Sequence, residues 1–173
     1  MEILMRVTPV ALSIGIALAT IASAGNGQRP DDRLDPRSTA LTQQAQSLLA
    51  GGQLDQATDL LESALAVDPR NRSAYVTLGR VAQAQKLPGK AVRFYSEALK
   101  LDPNDPNALG GEGEAFVDRG AVERAKLVLD RLKTVCRAPC PQASALAAAI
   151  AKGPPPEAVA AHVPAPPPNK SQD

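Results

Sequence analysis

Tryptophan is absent from the 173 residues, aromatic side chains number only four, and there is a single histidine. Each scarcity removes a class of function. Four aromatics are too few to build a base-stacking surface, and a net charge of +1 supplies no basic footprint for nucleic acid. The one histidine, His162, lies in a proline-rich stretch near the C-terminus, which excludes a histidine triad or a histidine-ligated metal site. Two Phe and two Tyr also leave little bulk for one large core. Stacked small units escape that limit, because each buries its apolar face on the next. The length allows one domain with tails.

What is present is a recurring helical pattern, plainest in Arg72–Asn104. A first helix carries Tyr75, Leu78, Gly79 and Ala82 on one face. Lys86-Leu87-Pro88-Gly89 makes a turn, with Pro and Gly as the breakers. A second helix carries Ala91, Tyr95, Ala98, Leu99 and Leu101, and Asp102-Pro103 ends it. Shifting by 34 residues returns the framework: Ala57/Ala91/Ala125, Leu61/Tyr95/Leu129 and Ala64/Ala98/Leu132 in the second helices. The first helices give Leu41/Tyr75/Leu109, Ala45/Gly79/Gly113 and Leu48/Ala82/Phe116. Asp-Pro closes two copies, at Asp68-Pro69 and Asp102-Pro103, and Cys136-Arg137 stands in the third.

The pattern resembles the tetratricopeptide repeat (TPR), a 34-residue helix–turn–helix unit with small residues where its helices cross. The resemblance covers about residues 38–137 and nothing else. It implies an all-α fold, a right-handed superhelical α-solenoid of three TPR helix pairs. The repeats fall at about 38–71, 72–105 and 106–137, within a domain that runs over 38–152 and ends on a capping helix at 141–152.

Upstream, Val7–Ile21 is an uncharged, largely apolar run, followed by Ala22-Ser23-Ala24. This reads as a signal peptide over 1–24, cut after Ala24. The alternative is a retained membrane anchor, although the run is short of the roughly 20 residues a spanning helix needs. No cysteine follows it to accept a bacterial lipid anchor. Residues 25–37 lack an apolar period and read as a flexible linker. Ser38 or Thr39 is then expected to cap the first helix, Gly51-Gly52 to stop it, and Gln53–Val67 to be its partner.

In the third repeat, Asp105 suits an N-cap and Pro106 the first helical position. Gly110, Gly111 and Gly113 weaken that helix, each costing about 0.5–1 kcal/mol against alanine. Gly113 stands at the small crossing position, but Gly110 and Gly111 have no packing role legible in the sequence, which makes this repeat the least rigid. Gly120 makes the next turn and Ala121–Thr134 the sixth helix. A seventh, capping helix follows at Pro141, with its stripe at Ala143, Leu146, Ala147 and Ile150 and its end at Gly153-Pro154. Residues 153–173 hold seven prolines and are expected to be disordered.

The motifs that could carry chemistry are weak. Gly111-Glu112-Gly113 begins like a dinucleotide fingerprint, but no strand precedes it and Phe116 replaces the last glycine. Asp102–Asp105 looks calcium-like for a few residues, yet lacks the loop glycine and the terminal glutamate. Asn71-Arg72-Ser73 and Asn169-Lys170-Ser171 match glycosylation sequons, relevant only in a eukaryotic secretory route. Cys136 and Cys140 are close together in a chain read as exported, which favours a structural disulfide stabilising by about 2 kcal/mol on the chain-entropy model. The sharper alternative is a thiol-active pair, against which stand the C-x3-C spacing and the missing βαβ context. Two thiolates alone also make half a tetrahedral metal site.

No catalytic constellation, cofactor site or metal site is expected. The resemblance instead implies a groove lined by the first helices, at the second, fifth, ninth and twelfth positions of each repeat. The ninth gives Gln46, Arg80 and Glu114, and the fifth gives Thr42, Val76 and Gly110. The second gives Thr39, Ser73 and Asn107, and the twelfth Leu49, Gln83 and Val117. The bland alternative is that these are only solvated positions. The family's two-carboxylate clamp needs several cations, and Arg80 is the one here. The expected function is a non-enzymatic, exported scaffold, periplasmic or secreted in a Gram-negative bacterium, that holds a peptide or partner helix. By family analogy it serves assembly of a secretion, pilus or cytochrome-maturation system. The rival readings are a thiol-active periplasmic factor using Cys136/Cys140, or a membrane-anchored scaffold if residues 1–24 are retained.

Overall fold

The computed structural model describes residues 33–136, 139–156 and 158. The leader at 1–24, most of the linker, His162, the Asn169 sequon and the rest of the tail lie outside the described residues. Among the described residues seven helices follow one another: α1 Pro36–Ala50, α2 Leu54–Val67, α3 Arg72–Ala84, α4 Pro88–Leu101, α5 Pro106–Asp118, α6 Val122–Val135 and α7 Pro141–Lys152. Among the described residues there is no strand. Within each pair the helices pack tightly, α1 on α2, α3 on α4 and α5 on α6. The first helices also touch in series, α1 on α3, α3 on α5 and α5 on α7. They form an inner row and α2, α4 and α6 an outer one, which is the all-α repeat solenoid that the periodicity implies.

Small residues make this stacking possible. Ala57, Ala91 and Ala125, one per repeat, are fully buried, as are Ala45, Ala64 and Ala98. Helix axes can then approach closely, and the larger Leu61, Tyr95, Leu109 and Leu132 fill the space between. Each such side chain removed from water contributes about 1.5–3 kcal/mol. The core is thus a row of three small clusters.

The glycines of α5 acquire a reason here. A methyl group on Gly111 would enter the Tyr95 ring, and one on Gly79 would meet the same ring at 2.6 Å. Gly110 carries the Gln142 side chain, whose Cβ would lie 3.1 Å from an added methyl group, and Gly113 carries Leu146. Phenol and cap helix occupy the volume the glycines vacate.

Several helix boundaries differ from the sequence reading. Asp35, not Ser38 or Thr39, caps α1: its carboxylate accepts from the Arg37 N–H at 2.7 Å, and Pro36 takes the first helical position. The last two residues of the expected linker are therefore helical. Ser38 is buried instead, donating to the Ala64 carbonyl at 2.7 Å. The turn at 85–89 also works differently. Pro88 starts α4 and Gly89 lies within it, while the left-handed residue is Lys86, at φ 59°. Lys86 stands 34 residues from both Gly52 and Gly120, which share that conformation at φ 73° and 78°. On α7, Ala147 faces outward, and Ala149 joins Ala143, Leu146 and Ile150 on the packed face.

The corners between repeats are set by the Asp-Pro turns. Asp68 accepts from the Arg70 N–H at 3.0 Å, and Asp102 from the Asn104 N–H at 3.0 Å, so each aspartate closes its own turn. Asp68 also takes the Asp35 N–H at 3.0 Å and the Arg70 guanidinium at 3.1 Å, which ties the start of α1 to the corner. The residue is buried, and the Arg70 hydrogen bond first, then the two backbone N–H groups, lower its pKa from 3.8 to about 2. A depressed carboxylate stabilises the fold above its unfolded pKa, and that contribution is lost as pH falls through the folded one. Asp68→Asn should therefore melt below the parent chain near neutrality. The gap should close as pH falls from 3.8 to about 2 in paired thermal melts. A gap independent of pH would contradict this role.

Candidate functional site

The inner row presents a wall whose side chains come from α1, α3, α5 and α7. Three adjoining hollows run along it. The middle one, about 290 Å³, is bordered by Arg80, Gln83, Tyr95, Glu114 and Gln142. On the α1 side a hollow of about 200 Å³ is bordered by Gln46, Ser73, Thr77, Arg80 and Asn107. On the other side one of about 600 Å³ is bordered by Gln83, Glu114, Val117, Asp118, Lys152 and Pro154–Pro156. Arg80 and Asn107 are shared by the first two, and Gln83 and Glu114 join the middle hollow to the last, so the three form one groove.

Of the residues expected to line the groove, Arg80, Gln83 and Glu114 come together around the Tyr95 hydroxyl. Gln83 is held at both ends: its carbonyl accepts from that hydroxyl at 2.6 Å, and its amide donates to Asp118 Oδ2 at 3.4 Å. Gln46 lies further along, exposed, its amide 3.4 Å from Thr77 Oγ1. Val76 borders the same hollow although it is mostly buried.

Thr42 does not belong to the wall. It is buried, donates to the Ser38 carbonyl at 2.8 Å and accepts from the Asn71 amide at 2.9 Å. Asn71 also caps α3 through Ala74 and donates to Ser38 Oγ at 2.8 Å, so Thr42 is part of the joint between the first two repeats. Leu49 packs into the first core cluster, whereas Gly110, though buried beneath Gln142, borders the middle hollow. Thr39, although exposed, turns its hydroxyl to the Asp35 carbonyl at 3.3 Å.

Asp118 and Gln142 are groove residues that the repeat positions do not reveal. Asp118 follows Glu114 by four, a helical spacing that places both on one face. Gln142 donates to Asn107 Oδ1 at 3.0 Å, so α7 is a wall of the groove as well as a cap.

The electrostatics are uneven. Arg80 is exposed and makes no hydrogen bond or ion pair among the described residues. Glu114 also lacks such a partner, and its pKa is raised, by burial first and then by the Asp118 charge, with Arg80 offsetting part. Burial likewise pushes the Tyr95 phenol up, which keeps it a neutral donor to Gln83. By contrast, Arg72 is committed to the corner, 2.6 Å from Asp102 and 2.7 Å from Asp105.

Beside the groove, Cys136 and Cys140 have their sulfurs at bonding distance and their Cα atoms 5.7 Å apart. Cys136 stands in register with Asp68 and Asp102, and Cys140 is the N-cap of α7. A cysteine pair thus stands in place of the Asp-Pro turn at the third corner.

Fold and groove define a helical-hairpin repeat protein whose inner helices line a polar groove. Two family models described as tetratricopeptide repeat match the sequence, over residues 42–106 and 82–151, together more than half of the chain. The chain belongs to the tetratricopeptide-repeat family. Cellulose synthase operon protein C of Xanthomonas axonopodis pv. citri (strain 306) is 33% identical over 117 residues, 68% of this chain and 8% of that protein. The chain thus spans under a tenth of the curated relatives it matches. The first TPR of Spaghetti (RPAP3), bound to the HSP90 peptide SRMEEVD, superposes with a TM-score of 0.62 at 18% identity, covering 67% of this chain and 91% of that one. The Yersinia enterocolitica type III secretion chaperone SycD, in complex with a peptide of the translocator YopD, gives 0.58 at 18%, covering 66% and 86%. At such identities the likeness is one of fold.

A closed disulfide at the third corner should hold α7 against α5. Adding a reductant, or replacing both cysteines by serine, is expected to lower the melting temperature by an amount matching about 2 kcal/mol. Helix content at room temperature should stay unchanged. Free, fast-reacting thiols in the unreduced protein would contradict the staple and favour a thiol-active pair.

Proposed function

We propose that the chain is a non-catalytic interaction scaffold that holds an extended peptide or a helix of a partner protein against the wall of α1, α3, α5 and α7. One observation carries the reading. Arg80 sits in the central repeat between two hollows, exposed and without an ion pair among the described residues. Its planar fork of donors can take a carboxylate or backbone carbonyls, and Gln46, Asn107 and Gln142 supply neutral hydrogen bonds on either side. The Spaghetti and SycD structures share the fold and each hold a peptide, which supports peptide binding by this chain.

The proposal includes export. The apolar run Val7–Ile21 with Ala22-Ser23-Ala24 is the leader, and assembly of an exported or secreted machine is the setting.

Capture from the exported proteome with paired variants tests the reading. Arg80→Ala should weaken recovery of the bound partner about tenfold, the scale of a lost charge-assisted hydrogen bond. Its melting curve should shift by less than about 0.5 kcal/mol. Arg93, exposed on the outer helix of the same repeat, is the control, and Arg93→Ala should change neither. Equal losses from both variants, or none from Arg80→Ala, would place binding elsewhere.

A further inference from the structure

The groove is not electrically uniform, and its α5–α7 end has a definite chemistry. Glu114 and Asp118 stand four residues apart on α5, and both border the hollow of about 600 Å³. Like charges at this spacing cost a helix a few tenths of a kcal/mol, so the free chain gains nothing from the pair. Glu114 is half-buried with no hydrogen bond or ion pair among the described residues, and Asp118 has only the Gln83 amide, at 3.4 Å. Much of the remaining lining is apolar: Val117 of α5, Ala149 of α7 and the prolines at 154–156. Lys152 also borders this hollow, and the Arg80 charge acts on Glu114 from the middle hollow, so the two carboxylates share their surroundings with two cations, neither of them ion-paired to either carboxylate.

We propose that this end of the groove receives a long cationic side chain, lysine or arginine, of the partner segment. The alkyl stem lies along Val117, Ala149 and the prolines, and the charged head lies between the Glu114 and Asp118 carboxylates. Charge complementarity selects this occupant. A partner carboxylate would be repelled here, and an apolar side chain would leave the Glu114 charge desolvated and unpaired. Glu114 would also exchange its repulsion from Asp118 for a shared counter-ion. The groove then reads its partner in one direction, with carbonyl or carboxylate groups at Arg80 and a basic residue toward α7. The inference rests on the groove being the binding surface and specifies what binds at one end of it.

Selection of a randomised displayed peptide library on the full chain is the test, followed by binding of the best synthetic peptide. The parent chain should enrich one position in Lys or Arg, and replacing that residue by norleucine should weaken binding about tenfold. Glu114→Gln with Asp118→Asn should abolish the preference while helix content is kept, and Asp118→Lys should turn it toward acidic residues. Peptides selected with no basic preference, or with one that survives the double variant, would overturn the inference and leave the groove reading standing. No enriched peptide at all would overturn the groove reading and this inference with it. Tighter peptide binding by the Lys170→Gln full chain would assign the hollow to the chain's own C-terminal segment, and so overturn a partner's cation as its occupant.

Discussion

The ring of Tyr95 sits where two glycines make room for it. It rises from α4 into the space between α3 and α5, and neither Gly79 nor Gly111 could carry a methyl group without striking it. The chain shows the same rule in its other repeats. Where the large residue is Leu61, the residue in register with Gly79 is Ala45, fully buried beside it. Where that residue is Leu129, Gly113 receives Leu146 from α7 instead. Size is traded across each crossing so that the helix row keeps its spacing, as close packing requires. With so few aromatics in the chain, this one ring fixes the distance between the second and third repeats.

That spacing governs the groove. The Tyr95 hydroxyl reaches the inner wall, 2.6 Å from Gln83, and orients the amide that reaches toward Asp118. A buried phenol on an outer-row helix thereby sets polar groups on the inner surface. At the first joint Asn71 plays a comparable part, linking Ser38 and Thr42 of α1 to the cap of α3. At the third, the Cys136–Cys140 pair stands where aspartate stood before and positions Pro141 and Gln142 at the edge of the wall. Two corners therefore use aspartate turns with ion pairs, the first reinforced by the Asn71 amide network, and the third a sulfur pair.

Much of this was legible in the sequence, and the boundary of legibility is physical. The repeated small and large positions were readable because the crossing geometry recurs at every pair, and a Cβ too many is costly wherever it falls. Asp105-Pro106 was readable because cap and first-turn chemistry are local. Gly111 was not, since its reason is a ring from a different helix. Thr42 occupies a groove position by register, yet the Asn71 amide draws it inward, a long-range hydrogen bond that no spacing displays. Lys86 adopts the conformation of Gly52 and Gly120 because the register demands it there, and Pro88-Gly89 nearby offered a more conspicuous but mistaken turn signal. The electrostatic character of the wall was half visible. Arg80 and Glu114 fell on expected positions, whereas Asp118 shows only as a helical step of four from Glu114, and Gln142 only when α7 is set beside α5.

A double-mutant cycle at Gly111 and Tyr95 tests most directly whether the ring between two glycines sets the repeat stacking. In the parent chain Gly111→Ala should destabilise by about 1–3 kcal/mol, because the overpacked ring outweighs alanine's helix preference of about 1 kcal/mol. In a Tyr95→Leu background, with the side chain the other two repeats use, the same substitution should be neutral or stabilising, a coupling of at least about 1 kcal/mol. Gly111→Ala raising the unfolding free energy of the parent chain, or changing it equally in both backgrounds, would contradict the role assigned to Tyr95.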